Sequence, residues 1–227
     1  MRILAVDTAL GLCSAAVLDT AKDEIIARES IPMERGHAES LMPLVDRVMA
    51  QVPGGFSVLA RIATTVGPGS FTGLRVGLSA ARAMALAASI PVVGITTLSA
   101  FAAPFLEGGG DQMVASVIDA RHGHVFMQIS RGDGSILLPP QLIALTDAES
   151  RIRAANVRIV GSAASLFASL LTDSGQKLRV EPDQRGPDIE WVARLGGYAS
   201  PDDAKPVPLY LRAADAVPQN NGRIALQ

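Results

Sequence analysis

The sequence predicts an α/β protein made of two similar lobes, and three observations lead to that prediction. Strand-like and helix-like patterns alternate along the chain, as they do in layered α/β folds. With 227 residues, 48% of them apolar, the chain can bury one large core or two smaller ones. Each half also starts with the same pattern: a strand that ends in aspartate, a glycine four positions later, and a second strand. The pattern contains Asp7 and Gly11 in the first half, and Asp119 and Gly123 in the second.

The first half contains five apolar, β-rich runs separated by helical patterns. Strands are predicted at residues 2–7, 13–18, 24–31, 60–66 and 91–96, and helices at 37–49, 71–89 and 98–106. The helix at 37–49 has apolar residues at helical spacing, and Pro43 is tolerated near its first turn.

The second half begins after the glycine-rich turn at residues 107–111. Strands are predicted at residues 112–119, 124–130 and 157–161, extended or β structure at 136–145, and helices at 148–154, 163–171 and 188–195. We therefore divide the chain into an N-terminal lobe at 1–107, a C-terminal lobe at 108–215 and a loosely ordered tail at 216–227.

The composition argues against several classes of protein. The net charge is −2, so no basic excess marks the chain as a strong nucleic-acid binder on its own. Cys13 is the single cysteine, which rules out an internal disulfide and favours a cytoplasmic setting. The most apolar stretch is interrupted by Arg82 and Pro91, so no membrane span is predicted.

The glycine-rich loop before the helix at 71–89 has two interpretations. No lysine follows Gly73, and the glycine spacing differs from the dinucleotide-binding pattern. Backbone N–H groups at the start of a helix nevertheless favour anions. The candidate nucleotide-binding residues are Asp7, Thr8, Gly67, Gly69 and Ser70, with Asp119 as a second carboxylate. In the other interpretation the loop is a tight turn capped by Ser70, and each aspartate caps a hairpin turn.

The helix at 71–89 is apolar on nearly every side. Arg75, Ser79 and Arg82 form a narrow polar stripe, and the face with Leu74 and Leu78 suits the protein's own sheet. A third face consists of small residues, which would let another helix approach closely. With the helix at 37–49, it supplies the candidate partner-binding residues Leu41, Leu44, Val45, Val48, Gly73, Gly77, Ala80, Ala81 and Met84. The alternative is that another element of the same chain covers this face.

Neither a catalytic group nor a metal site is predicted. The position one helical turn after His37 is Leu41, so no histidine pair with metal-binding spacing is present there. Ser70 does not lie in the G-x-S-x-G pattern of serine hydrolases, and Cys13 lies within a strand, where packing is the simpler role.

Several segments resemble the bacterial TsaB family, also called YeaZ. The segments, in chain order, are MRILAVDTA, ERGHAESLMPLVD, VGPGSFTGLRVGLSAARAMA, IPVVGITTLSAFA, VIDARHGHVF and PLYLR. The resemblance implies an actin-like, Hsp70-like (ASKHA) fold of two lobes, each with a mixed sheet flanked by helices. In this family the two early helices pack against the partner's equivalent helices.

The resemblance also implies a function. Proteins of this family take part in making threonylcarbamoyladenosine in tRNA, as non-catalytic subunits that pair with the transferase TsaD. TsaE joins that pair, and TsaC supplies the threonylcarbamoyl-adenylate. Without TsaD, the apolar helical face is expected to pair with a copy of itself and give a homodimer. The resemblance implies indirect contact with tRNA and no cofactor of the chain's own, although a nucleotide at the complex interface is compatible with it. The rival hypothesis is an actin-like ATPase or kinase, and a metalloprotease is less well supported because the metal ligands are missing.

Overall fold

The computed structural model describes residues 1–106, 109–155, 157–168 and 178–212. The predicted lobe boundary at residues 107 and 108 and the predicted loose tail at 216–227 lie outside the described residues.

The first lobe is built on a five-stranded mixed sheet. Its strands are β1 (Arg2–Asp7), β2 (Leu12–Asp19), β3 (Glu24–Pro32), β4 (Leu59–Gly67) and β5 (Val92–Thr96). They lie in the order β3-β2-β1-β4-β5. The three strands joined by short turns, β1 to β3, are antiparallel, whereas β4 and β5 follow helical crossovers and run parallel to β1.

The second lobe repeats this plan. Its strands are β6 (Met113–Asp119), β7 (His124–Arg131), β8 (Ile136–Ala144), β9 (Arg158–Val160) and β10 (Arg179–Val180). Their order is β8-β7-β6-β9-β10, with the same antiparallel and parallel pairings as in the first sheet. The repeated topology confirms the predicted duplicated, actin-like α/β fold.

Five α-helices surround the sheets in the described part of the chain. They are α1 (His37–Met49), α2 (Phe71–Ala88), α3 (Thr97–Ala102), α4 (Leu145–Ala155) and α5 (Ile189–Tyr198). None of these described helices is long and apolar enough to cross a bilayer. The helix predicted at 163–171 is described only as a short 3₁₀ turn, Ala164–Phe167, because residues 169–171 fall outside the described ranges.

Helices cover both faces of the first sheet. Helices α1 and α2 pack on one face and share a core with β1, β2 and β4. Helices α3 and α5 cover the other face, where Val192 and Ala193 contact the cluster that contains Ile3 and Ala63. Two covered faces explain why most residues of β1 and β4 are buried in an unbroken run, with no alternation between buried and exposed positions.

The position of α5 corrects the predicted division of the chain. Its residues lie within 108–215, the range assigned from the sequence to the C-terminal lobe, yet the helix packs on the first sheet. The segment after α5 stays on the first lobe, because Gly94 N–H donates to the Ala204 carbonyl and Leu209 N–H donates to the Val66 carbonyl. The physical reason is that the second face of the first sheet is apolar, and the packing of α5 on it removes that face from water.

Helix α3 joins the two lobes. Leu98, Phe101 and Ala102 pack with Val114 and Ile118 of the second sheet. Phe101 is almost fully buried in this junction, and Ser99 and Gln128 add a hydrogen bond across it. The lobes therefore share an apolar core and do not meet through polar surfaces alone.

Candidate functional site

The glycine-rich loop between β4 and α2 packs directly on the turn that follows β1. Ser70 N–H donates to the Ala9 carbonyl at 2.7 Å, and a Cβ atom at Gly69 would lie 2.4 Å from that oxygen. The Ser70 hydroxyl accepts a hydrogen bond from Gly73 N–H, so Ser70 is the predicted N-cap of α2. The loop's glycines thus serve close packing, and the Ser70 N–H is not available to an anion.

Asp7 is sealed inside the first lobe. Its Oδ1 accepts hydrogen bonds from Ala9 N–H at 3.0 Å and from the Thr65 hydroxyl at 2.5 Å. Its Oδ2 is buried and has no hydrogen-bond partner among the described residues. Burial raises the pKa of Asp7, against the opposing effects of the Thr65 and Ala9 hydrogen bonds and the nearby His37.

Asp119 occupies the equivalent position in the second lobe and lies at the surface. Its Oδ1 accepts a hydrogen bond from Arg121 N–H at 2.7 Å, just as Asp7 accepts one from the residue two positions later. Both aspartates therefore cap hairpin turns, which was one of the two sequence interpretations. Gly123 supplies a positive φ of 71°, whereas Gly11 packs on residue 185: its N–H donates to the Arg185 carbonyl at 2.8 Å, and a Cβ atom there would lie 3.3 Å from that oxygen.

The small residues of α2 face the end of β1. The Thr8 hydroxyl donates to the Gly73 carbonyl at 2.7 Å. A Cβ atom would lie 2.1 Å from the Thr8 carbonyl oxygen at Gly73, and 2.6 Å from the Thr8 hydroxyl oxygen at Gly77. The groove formed by these glycines is therefore filled by Thr8 of this chain, directly after β1, which was the alternative to a partner helix.

The other candidate partner-binding residues lie mostly in the core. Ala80 is half-buried, while the remaining ones are buried in the cluster that α1 and α2 share: Leu41, Leu44, Val45, Val48, Ala81 and Met84. Part of the surface that the two helices leave exposed is apolar. We call it the α1–α2 surface, and it comprises Met42, Ala83, Leu86 and Ala87, with Val76 and Ala80 half-buried beside them.

A cleft of about 730 Å³ lies between the lobes. Its first-lobe wall includes His37, whose Nε2 lies 3.0 Å from the Leu10 carbonyl oxygen, and the loop residues Gly69 and Ser70. Its second-lobe wall includes Asp119 and Arg121, and the segment after α5 contributes Tyr210 and Arg212. Sequence reasoning missed these last two residues, because residues 199–212 follow no helical or strand period; the PLYLR string was the only available signal.

The structure divides the candidate nucleotide-binding residues of the first lobe between the core and the cleft. Asp7 and Thr8 are buried away from solvent, whereas Gly69 and Ser70 line the cleft. In the described ranges no group of three or more histidine, cysteine or carboxylate side chains could hold a metal ion. Burial raises the pKa of the Cys13 thiol to about 11, so it is a packing residue and a poor nucleophile.

Replacing Asp7 with asparagine should stabilise the protein at neutral and alkaline pH. Because the folded-state pKa of Asp7 is raised, its contribution to stability is fully present below the unfolded-state pKa and is lost as the pH rises through the folded-state value. Asparagine keeps the Oδ1 acceptor for Ala9 and Thr65 without a buried charge. We expect a gain on the order of 1 kcal/mol at pH 8 and a smaller one at pH 5.

Urea unfolding of wild type and Asp7→Asn at both pH values measures this difference. Asp119→Asn is the matched control, since its carboxylate caps the equivalent turn but is exposed. A gain of equal size at both pH values, or a loss at pH 8, would contradict the buried-charge explanation.

A family model described as TsaD, tRNA N6-adenosine threonylcarbamoyltransferase, matches residues 25–176 of the chain. The chain is also similar to named relatives. It is 35% identical over 130 residues to the tRNA threonylcarbamoyladenosine biosynthesis protein TsaB of Escherichia coli, a match that spans 56% of this chain and only 53% of that relative's length. It is 28% identical over 224 residues to the protein of the same name from Bacillus subtilis, covering 95% of this chain and 96% of the relative.

The fold also has a solved counterpart. The structure of YeaZ from Pseudomonas aeruginosa superposes with a TM-score of 0.72, at 22% sequence identity, over 92% of this chain and 99% of that one. At that identity the likeness concerns the fold, and it agrees with the two-lobed arrangement described above. The sequence family and the fold agree, and the chain belongs to the TsaB/YeaZ family, within the wider family described by the matching TsaD model.

Proposed function

We propose that this protein is a non-catalytic subunit of the bacterial machinery that makes threonylcarbamoyladenosine in tRNA. In this proposal it pairs with the transferase TsaD and supports its activity together with TsaE, while TsaC supplies the activated threonylcarbamoyl group. The names of the relatives supply the pathway. The observation that carries the non-catalytic role is Asp7, which is sealed from solvent and belongs to no group of three or more metal-ligating side chains among the described residues.

The α1–α2 surface is the proposed site of contact with TsaD. Leu86 is 82% exposed and Met42 is 47% exposed, and both lie on helices that pack side by side on the first sheet. The alanines at positions 83 and 87, on the same helix as Leu86, are also exposed. Apolar side chains in an otherwise polar exterior favour burial against a second apolar surface, at about 25 cal/mol for each Å² removed from water.

The proposed contact uses the two helices that the sequence predicted for it, but it is made by different residues of those helices. The buried side chains of α1 and α2, such as Leu44 and Val48, hold the helices in place, and the exposed neighbours make the contact. A homodimer formed through the same surface is expected when TsaD is absent. Contact with tRNA through TsaD and a cytoplasmic location are further parts of the proposal.

Co-expression with tagged TsaD tests the contact. In the Met42→Glu/Leu86→Glu variant a carboxylate would lose its water without gaining a partner, and we expect recovery of the TsaD complex to fall roughly tenfold or more. Leu137→Glu is the control, since Leu137 is 43% exposed on β8 of the other lobe. In the absence of TsaD, light scattering should show that Met42→Glu/Leu86→Glu has also lost the homodimer, whereas the control Leu137→Glu has not.

The same variants also test the pathway. In cells depleted of their own TsaB, the wild-type chain and Leu137→Glu should restore threonylcarbamoyladenosine in tRNA, measured by mass spectrometry of digested nucleosides, and Met42→Glu/Leu86→Glu should not. If the Met42→Glu/Leu86→Glu variant is folded and still recovers TsaD normally, the α1–α2 surface is not the site of contact with TsaD. Failure of the wild-type chain to restore the modified base would refute the function itself.

A further inference from the structure

Two half-exposed aromatic rings lie at the mouth of the cleft. Phe71 begins α2 and is 47% exposed, and Tyr210 belongs to the segment after α5 and is 46% exposed. Their ring centroids are 5.3 Å apart and the rings are inclined by 35°. The Arg75 guanidinium lies 3.8 Å from the Phe71 centroid, and its Nε donates to the Tyr210 hydroxyl at 3.4 Å. Cation–π contact thus organises the rings without burying them.

Some arginines of the described chain are paired with carboxylates, and those at this mouth are not. Arg47 and Arg194 each form an ion pair with a carboxylate. Among the ion pairs of the described residues, none includes Arg75, Arg121 or Arg212. Arg212 donates to the Ala120 carbonyl at 2.7 Å, which leaves its charge uncompensated.

The local charge is opposite in sign to that of the whole chain. We define the cleft rim as Phe71, Arg75, Arg121, Tyr210 and Arg212. Arg121 and Arg212 line the cleft, as do two carboxylates, Glu34 and Asp119, and Arg75 adjoins it through its contacts with Phe71 and Tyr210. The rim and the cleft lining together are therefore slightly positive, on a chain whose net charge is −2. Guanidinium groups bind phosphates in a two-point geometry and also stack on planar groups.

We propose that the cleft rim binds a single-stranded segment of the tRNA substrate directly. Exposed rings with adjacent cations are the means by which proteins hold unpaired RNA, because bases stack on the rings and phosphates meet the arginines. The positive φ of 62° at Arg121, held by the Asp119 carboxylate, fixes the backbone that presents this side chain. This inference rests on the proposed function, which supplies tRNA as the substrate, and it adds direct contact to the indirect one implied by the family.

The test uses the complex of the full chain with TsaD and a fluorescent, unmodified anticodon stem–loop RNA. Fluorescence anisotropy gives the affinity at several salt concentrations. Phe71→Ala/Tyr210→Ala should weaken binding roughly tenfold, since one or two stacked bases are lost. Arg121→Gln/Arg212→Gln should reduce the magnitude of the log–log salt slope by about 1.4, that is about 0.7 for each cation removed.

Matched controls lie at the far end of each lobe. Phe56→Ala removes a ring that is 39% exposed and precedes β4, whereas Phe71 follows that strand. Arg131→Gln removes an exposed arginine at the end of β7 that is remote from the cleft. Both controls should bind the stem–loop like wild type.

Three results would overturn the proposal: rim variants that bind RNA like wild type, a complex that binds RNA no tighter than TsaD alone, or rim variants that lose TsaD. The last would make the rim a protein contact. Recovery of the TsaD complex without RNA is measured on the same samples. Loss of RNA binding with intact pairing is therefore distinguished from failure of the proposed subunit function.

Discussion

Replacing Gly73 with alanine is expected to destabilise the protein by about 2–3 kcal/mol, although alanine is the better helix former. The added Cβ would lie 2.1 Å from the Thr8 carbonyl oxygen, a backbone atom that cannot turn aside as a side chain could. Helix α2 would have to move off the end of β1, which would also break the hydrogen bond from the Thr8 hydroxyl to the Gly73 carbonyl. These losses exceed the roughly 1 kcal/mol that glycine-to-alanine changes contribute in a helix.

Thermal unfolding measures this effect as a fall in Tm of about 5–10 °C for a chain of this size. Gly197→Ala is the matched control in helix α5, where the nearest atom to the new Cβ is the flexible Ile3 Cδ1 at 3.3 Å. It should change the free energy of unfolding by less than about 1 kcal/mol. If Gly73→Ala were as stable as the control, α2 would not be held against β1 by the small-residue contact.

Helix α2, which contains Gly73, shows which features can be predicted from the sequence and which cannot. Periodicity predicted helix α2 and its apolar face with Leu74 and Leu78, and the Ser70 cap was one of two interpretations of the loop; the structure shows all three. Periodicity also revealed a flat face with Gly73 and Gly77. A helical wheel shows that such a face is flat, but it does not show what fills it. That depends on the Thr8 turn, which is distant in sequence.

The paired aspartates illustrate the same limit at the candidate site. The local pattern around Asp7 and Asp119 correctly predicted two equivalent hairpin turns, because a carboxylate capping its own turn is a short-range interaction. It could not predict that one aspartate is sealed and the other lies in the cleft. The cleft depends on Tyr210 and Arg212, which reach it only because α5 crosses back to the first sheet.

A second large effect is expected at the junction of the lobes, where Phe101→Ala should cost about 3–5 kcal/mol. Phe101 is 1% exposed, and the cluster around it includes Leu98 of the first lobe and Val114, Ile118 and Val160 of the second. Truncating this ring leaves a cavity in the apolar cluster through which the two lobes pack against each other. We therefore expect cooperativity to suffer together with stability, because this apolar contact makes unfolding of one lobe unfavourable for the other.

Trp191, the single tryptophan, makes this measurable, since it lies in α5 on the first sheet and its fluorescence reports on the first lobe. In wild type the urea midpoints from Trp191 fluorescence and far-ultraviolet circular dichroism should coincide. In Phe101→Ala they should separate. Phe167→Ala is the matched control, because Phe167 is equally buried but lies wholly within the second lobe's core. That variant should lose stability while its two midpoints stay together, since the junction remains intact. Coincident midpoints in Phe101→Ala would mean that the lobes stay coupled without the apolar contact. The hydrogen bonds between the lobes and the return of the chain to the first sheet would then be enough to couple them.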